Sequence, residues 1–130
     1  MQHALQQMMQ ELVGIVRREE EMQQALEGLS SLRSRAARVS VPGNREYNPG
    51  WHTALDLQNL LTVAEAVTRS AMERKESRGG HFRDDYPDKN TEYAGFNIVV
   101  RRGADGSMLV ERKAIPEMRD DLKQIVEENR

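Results

Sequence analysis

The sequence predicts a mainly α-helical fold: an antiparallel three-helix bundle, spectrin-repeat-like, over residues 3–39 and 50–78, followed by a β-hairpin and a short C-terminal helix. Two observations predict it. Apolar side chains recur at spacings of three and four through three long stretches, which places them on one helical face. Past residue 95 the period changes to two, with a glycine-rich turn in the middle, as a hairpin requires.

The first helix is read over residues 3–17. Leu5, Met8, Met9, Leu12, Val13 and Val16 share a face, and the glutamines and Glu11 take the other. The methionines suit core filling better than a promiscuous binding stripe. The helical pattern starts almost at the first residue with only a weak cap, as expected of a piece of a longer protein. Gly14 and Arg17-Arg18-Glu19-Glu20-Glu21 mark a break, and acids in the first turn favour the positive end of a new helix. Met22, Ala25, Leu26, Leu29, Leu32 and Ala36 form the second apolar face. Arg33, Arg35 and Arg38 fall at its C-terminal end, where cations complement the helix dipole; a solvated face is favoured over a phosphate patch.

Pro42-Gly43 and Asn48-Pro49-Gly50 are turn signals. Asn48 is placed to cap the third helix, with Pro49 at its first position. Trp51 should anchor that start against its neighbours. Ala54, Leu55, Leu57, Leu60, Leu61, Ala64, Val67, Ala71 and Met72 give a wide apolar surface, which predicts the most buried helix. Asn59 lies within that surface and, if buried, needs hydrogen-bond partners. Phe96, Ile98 and Val100 then alternate with Asn97, Val99 and Arg101. Gly103-Ala104-Asp105-Gly106 reads as a turn and Met108-Leu109-Val110 as the return strand, giving a hairpin over 95–114. Pro116 is expected to start a last helix carrying Met118, Leu122, Ile125 and Val126. Residues 1–90 are read as bundle plus clasp, and 91–130 as a hairpin and helix extension of the same domain.

Bulk properties narrow the function. At 130 residues the chain fits one domain. Its net charge of −2 gives no reason to expect nucleic acid. No apolar run approaches the roughly 20 residues of a membrane span, and no signal-peptide pattern opens the chain. With no cysteine there is neither a disulfide nor a thiolate metal site. Dinucleotide, P-loop and nucleophile-elbow patterns are absent.

One stretch, residues 74–90, concentrates polar groups beside the apolar third helix. Gly79-Gly80 is the natural stop for the incoming helix, and Pro87 blocks a quick return to helix. Arg78 and Arg83 can each grip a carboxylate with two parallel contacts. The stretch is a solvated helix-end loop or a clasp that docks another surface, and composition does not separate the two. A metal site of His81 with Asp84 or Asp85, and an acid–base role for His81, are possible on residue type. A structural histidine bonded to nearby backbone is favoured.

These residues carry a resemblance. Leu57-x-Asn59-Leu60-Leu61-x-x-Ala64, followed by Ala71-x-x-Arg74-x-Glu76-Ser77-Arg78-Gly79-x-His81-x-Arg83-x-Asp85-x-Pro87, resembles the C-terminal helical domain of succinate dehydrogenase and fumarate reductase flavoprotein subunits; L-aspartate oxidase is a relative. Val13-Gly14-Ile15-Val16-Arg17 and Trp51-x-x-Ala54-Leu55 extend it, so it spans most of residues 5–90. The resemblance implies a parent enzyme that interconverts succinate and fumarate on FAD, bound in a separate dinucleotide-binding domain. It implies no catalytic, cofactor or metal residue in this stretch. Glu76, Ser77, Arg78, His81, Arg83 and Asp85 are implied to shape the junction with the FAD-binding domain. An iron–sulfur subunit, with membrane anchor subunits reached through it, completes the implied assembly, peripheral at the cytoplasmic face of the cell membrane. The hairpin and last helix favour succinate dehydrogenase over the shorter aspartate oxidase ending. The alternative is a stand-alone helical adaptor binding a protein partner.

Overall fold

A computed structural model of the chain describes residues 1–129. In order it contains α1 (Gln2–Leu12), β1 (Val16–Arg17), α2 (Glu19–Ala36), α3 (Pro49–Glu73), β2 (Phe82–Arg83), a 3-10 turn (Glu92–Gly95), β3 (Phe96–Arg102), β4 (Met108–Ala114) and α4 (Asp120–Glu128). The fold is mainly helical with a two-stranded antiparallel sheet, as the periodicities predict.

Two apolar clusters hold the helices together. In one, Leu5 meets Leu29, Leu32 and Ala36 of α2 and Leu57, Leu61 and Ala64 of α3. In the other, Val13 meets Met22 and Ala25 near the start of α2 and Ala71 near the end of α3. The start of α1 thus lies at the end of α2, and the end of α2 at the start of α3, so consecutive helices reverse direction. Methionine fills the gaps between them, with Met1, Met8 and Met9 packed against the first cluster.

Several local expectations hold. Glu19, Glu20 and Glu21 occupy the first turn of α2, with Arg33 and Arg35 in its last. The Asn48 side chain accepts from the Trp51 N–H with Pro49 at the first helical position. Its amide also donates to the Pro42 and Asn44 carbonyls, closing the preceding loop. The hairpin pairs Phe96 with Ala114 through Arg102 with Met108, and lies along α3.

Others are corrected. The first helix stops at Leu12, well short of residue 17, because Val16 and Arg17 pair in parallel with Phe82 and Arg83. The third helix stops at Glu73, short of Gly79: Arg74 turns extended (ψ 96°) and reaches away to the carbonyls of Tyr93 and Phe96. Gly79-Gly80 instead closes a turn between Arg78 and His81, which exchange backbone hydrogen bonds of 2.8 and 3.1 Å. The last helix begins at Asp120, not Pro116; Asp120 and Asp121 complement its positive end. α3 is not the most buried helix: it buries five of its 25 residues against five of 18 in α2, and Leu55, Val63 and Val67 stay exposed. Asn59 is exposed, and Trp51 lies outside the core, half-buried beneath Arg45.

Candidate functional site

The clasp residues converge where α1 and α3 end and α2 begins. Parallel pairing of β1 with β2 brings the strand around Arg83 beside the start of α2, and the Asp84 N–H donates to the Arg17 carbonyl at 2.9 Å. Ser77 steadies the turn. Its hydroxyl donates toward the Tyr86 carbonyl at 2.9 Å and accepts the Arg83 N–H at 2.9 Å.

Arg83 is the centre of this hub and is fully buried, at 0% exposure. Its Nε and Nη2 fork onto the two oxygens of Asp85 at 2.7 and 2.6 Å. Nη2 also reaches Glu19 Oε2 at 2.7 Å. Nη1 donates to the carbonyls of Ala71 and Met72, at 3.1 and 3.3 Å, in the last turn of α3. All five guanidinium N–H groups therefore have acceptors. The cation sits where the α3 dipole favours it. Tyr86 covers the guanidinium, its ring centre 5.0 Å from Cζ. Asp85 in turn accepts the Glu19 N–H at 3.0 Å, so a residue distant in sequence caps α2. The Arg83 guanidinium holds the Asp85 carboxyl down at about 2.

Glu76 forms the second half of the hub and is also fully buried. Arg78 forks onto it, Nε to Oε1 at 2.9 Å and Nη2 to Oε2 at 3.0 Å. Arg74 binds Oε1, and the Asn90 N–H binds Oε2 at 2.9 Å. Arg78 foremost, with Asn90 and Arg74, keeps this carboxyl at about 2 although burial opposes it. Arg74 itself lies against the paired Tyr93 and Phe96 rings, 5.7 Å from each ring centre, tying the hub to the base of the hairpin.

His81 joins the hub to α1. Its Nδ1 lies 2.8 Å from Arg17 Nη1, and its Nε2 lies 3.0 Å from the Arg74 carbonyl. Arginine only donates and a carbonyl only accepts, so His81 is neutral, bare at Nδ1 and protonated at Nε2. Arg17 meanwhile caps α1 by donating Nε to the Val13 and Gly14 carbonyls at 3.2 and 2.7 Å.

Each sequence-predicted residue thus lies in one network: Glu76, Ser77, Arg78, His81, Arg83 and Asp85. Both expected forks exist, Arg78 with Glu76 and Arg83 with Asp85. Asp84 pairs outward with Arg18 at 2.6 Å. With both His81 nitrogens engaged and both aspartates paired, this corner offers no metal-ligand set. Among the described residues no cluster of three or more His, Asp or Glu side chains could hold a metal. The partners Arg17 and Glu19 were not singled out as site residues from sequence. Only the acid at the start of α2 hinted at Glu19.

The arrangement is that of a helical domain tied at one corner by a closed ion-pair network. Among the described residues no buried side-chain polar atom lacks a partner. The family model described as fumarate reductase flavoprotein C-term matches residues 2–125. The chain belongs to that family. It is 31% identical over 107 residues to the fumarate reductase flavoprotein subunit of Mycobacterium tuberculosis, covering 82% of this chain and 18% of that protein. It is 39% identical over 90 residues to L-aspartate oxidase of Yersinia pestis, covering 67% of this chain and 15% of that one. In the solved structure of the Mycobacterium smegmatis Sdh1 complex in the apo form, one chain superposes with a TM-score of 0.86 at 44% identity. That match covers 92% of this chain and 21% of the other. The chain therefore spans about a fifth or less of the relatives it matches.

The relatives' flavin raises the question of fit. An open cleft of about 480 Å³ lies between α3 and the hairpin, lined in part by Arg33, Val63, Val100, Arg102 and Met108. It has no glycine-rich strand-to-helix turn, and the described residues do not fit a dinucleotide site. No helix of the described residues is long and apolar enough to cross a membrane.

Proposed function

We propose that this chain is the C-terminal helical domain of a flavoprotein subunit that interconverts succinate and fumarate, of the succinate dehydrogenase kind. Its role is to buttress and dock, and it has no turnover of its own. FAD belongs to the parent subunit, in the domain this one braces. Residues 1–90 act as a spectrin-like bundle with its clasp, and 91–130 extend the same domain. An iron–sulfur subunit is the next partner. Membrane anchor subunits follow through it, at the inner face of the cell membrane.

One observation carries the reading. The titratable motif side chains Glu76, Arg78, His81, Arg83 and Asp85 are all engaged in bonds that shape the corner. Each of these side chains is committed to a contact that holds the corner together, which suits a structural clasp better than proton transfer to a substrate. What remains outward is a surface: the Arg78–His81 turn, with Phe82, Tyr86, Ile15 and Val16 exposed beside it. Apolar side chains beside a rigid turn suit docking.

The test is Arg78→Ala in the full-length subunit. Arg78 is partly exposed, and Glu76 keeps Arg74 and the Asn90 N–H without it. The domain should therefore still fold, while flavin retention or assembly with the partner subunits falls. Normal flavin content and assembly in that variant refute the docking role. Flavin absorbance or fumarate reduction by purified residues 1–130 refutes the division of labour.

A further inference from the structure

We infer that His81 is a pH-sensitive latch: only its neutral ring can accept from Arg17, so protonation releases the α1–α2 connection from the clasp. The contact is specific in geometry. Arg17 Nη1 and His81 Nδ1 are 2.8 Å apart, and a protonated ring would set two donors face to face. The ring's other nitrogen is fixed by the Arg74 carbonyl at 3.0 Å, so rotating the ring cannot restore an acceptor.

Every charged group facing the ring opposes a second positive charge. Arg17 approaches from β1, Arg83 from β2, and Arg74 from the end of α3. The nearby carboxylates do not compensate. Asp85 and Glu19 are bound to Arg83, Glu76 to Arg74 and Arg78, and Asp84 to Arg18. Burial holds the His81 pKa below its ordinary value of 6.5; the Arg74 carbonyl works against this, and the three arginines add to it.

The sign follows. A histidine depressed in the folded state stabilises the closed form fully above pH 6.5, and that stability is lost as pH falls toward the folded value. What opens is local. Arg17 joins His81 to the Val13–Arg18 link, whose Ile15 and Val16 are already exposed, so acidification frees the apolar edge beside the turn.

Amide hydrogen exchange on the whole chain tests this. Protection factors over residues 13–18, corrected for intrinsic rates, should fall by up to about tenfold per pH unit just below 6.5, then level off. His81→Gln supplies an untitratable acceptor and donor in one side chain. Its protection there should stay flat across the same range. An equal fall in His81→Gln, or no fall in the wild type, overturns the latch. If His81→Gln does not fold, nitrogen-15 spectra of the wild-type histidines decide. A His81 ring at pH 7.5 protonated at Nδ1 or doubly protonated overturns it, and one protonated at Nε2 alone that titrates below its ordinary value of 6.5 upholds it.

Discussion

Replacing Arg83 with alanine should be the most damaging single change in the hub. The guanidinium is fully buried and serves Asp85, Glu19 and two carbonyls of α3 at once. Removing one member of a buried ion pair costs about 3–5 kcal/mol, because the partner is left uncompensated. Here the stranded carboxylates are not fully buried: the side chains of Asp85 and Glu19 are 29% and 44% exposed. Water can reach them, which places the loss near the lower limit, about 3 kcal/mol. For a chain of this size that corresponds to a melting temperature lower by roughly 10 °C. Urea unfolding followed by far-ultraviolet circular dichroism measures it directly. Arg83→Lys should fall between alanine and wild type, since a lysine cannot fork onto Asp85 while also reaching both carbonyls. The exposed Arg101–Glu111 pair on the hairpin is the control and should show no resolvable change on Arg101→Ala. A loss below about 1 kcal/mol for Arg83→Ala would refute the hub as the structural centre of the domain.

Two further outcomes follow from the same geometry. Asp85 and Glu76, held at about 2 against ordinary values of 3.8 and 4.5, stabilise the fold above pH 4.5 and lose that contribution as pH falls toward 2. Urea midpoints measured between pH 6 and pH 2.5 should therefore drop steeply for the wild type and less steeply for Asp85→Asn. Gly79 adopts a φ of +60° with open space where a Cβ would lie, whereas Gly80 has neither strain nor crowding. Gly79→Ala should thus cost about 1 kcal/mol through backbone strain alone, and Gly80→Ala almost nothing, in the same unfolding assay.

How much of this was legible in the sequence depended on distance along the chain. Helix spacing, the Asn48-Pro49 cap and the period-two hairpin are local signals, and each predicted its element. That Arg78 and Arg83 each fork onto a carboxylate was legible from residue type, but which carboxylate was not: Arg78 takes Glu76, and Asp84 pairs with Arg18. The β1–β2 pair was not: it is two residues long and joins positions 66 apart, too short to show alternation. The end of α3 is not legible from Gly79-Gly80, because a glycine permits a helix stop without setting where it falls. The helix ends earlier because Arg74 is drawn to the Tyr93 and Phe96 carbonyls and Glu76 to Asn90, contacts that exist only once the hairpin base has docked. The start of α4 slipped by four residues because proline marks a permitted first position without requiring it.

The long reach of the Arg83 contacts bears on the order of events during folding. Glu19 and Arg83 stand 64 residues apart, so closing that loop comes after the nearby helix pairs have met. Interactions that form past the rate-limiting barrier barely change how quickly a chain assembles, yet they govern how slowly it comes apart. This corner is in that sense a bolt shot last: it adds lifetime to the finished domain without hastening its construction.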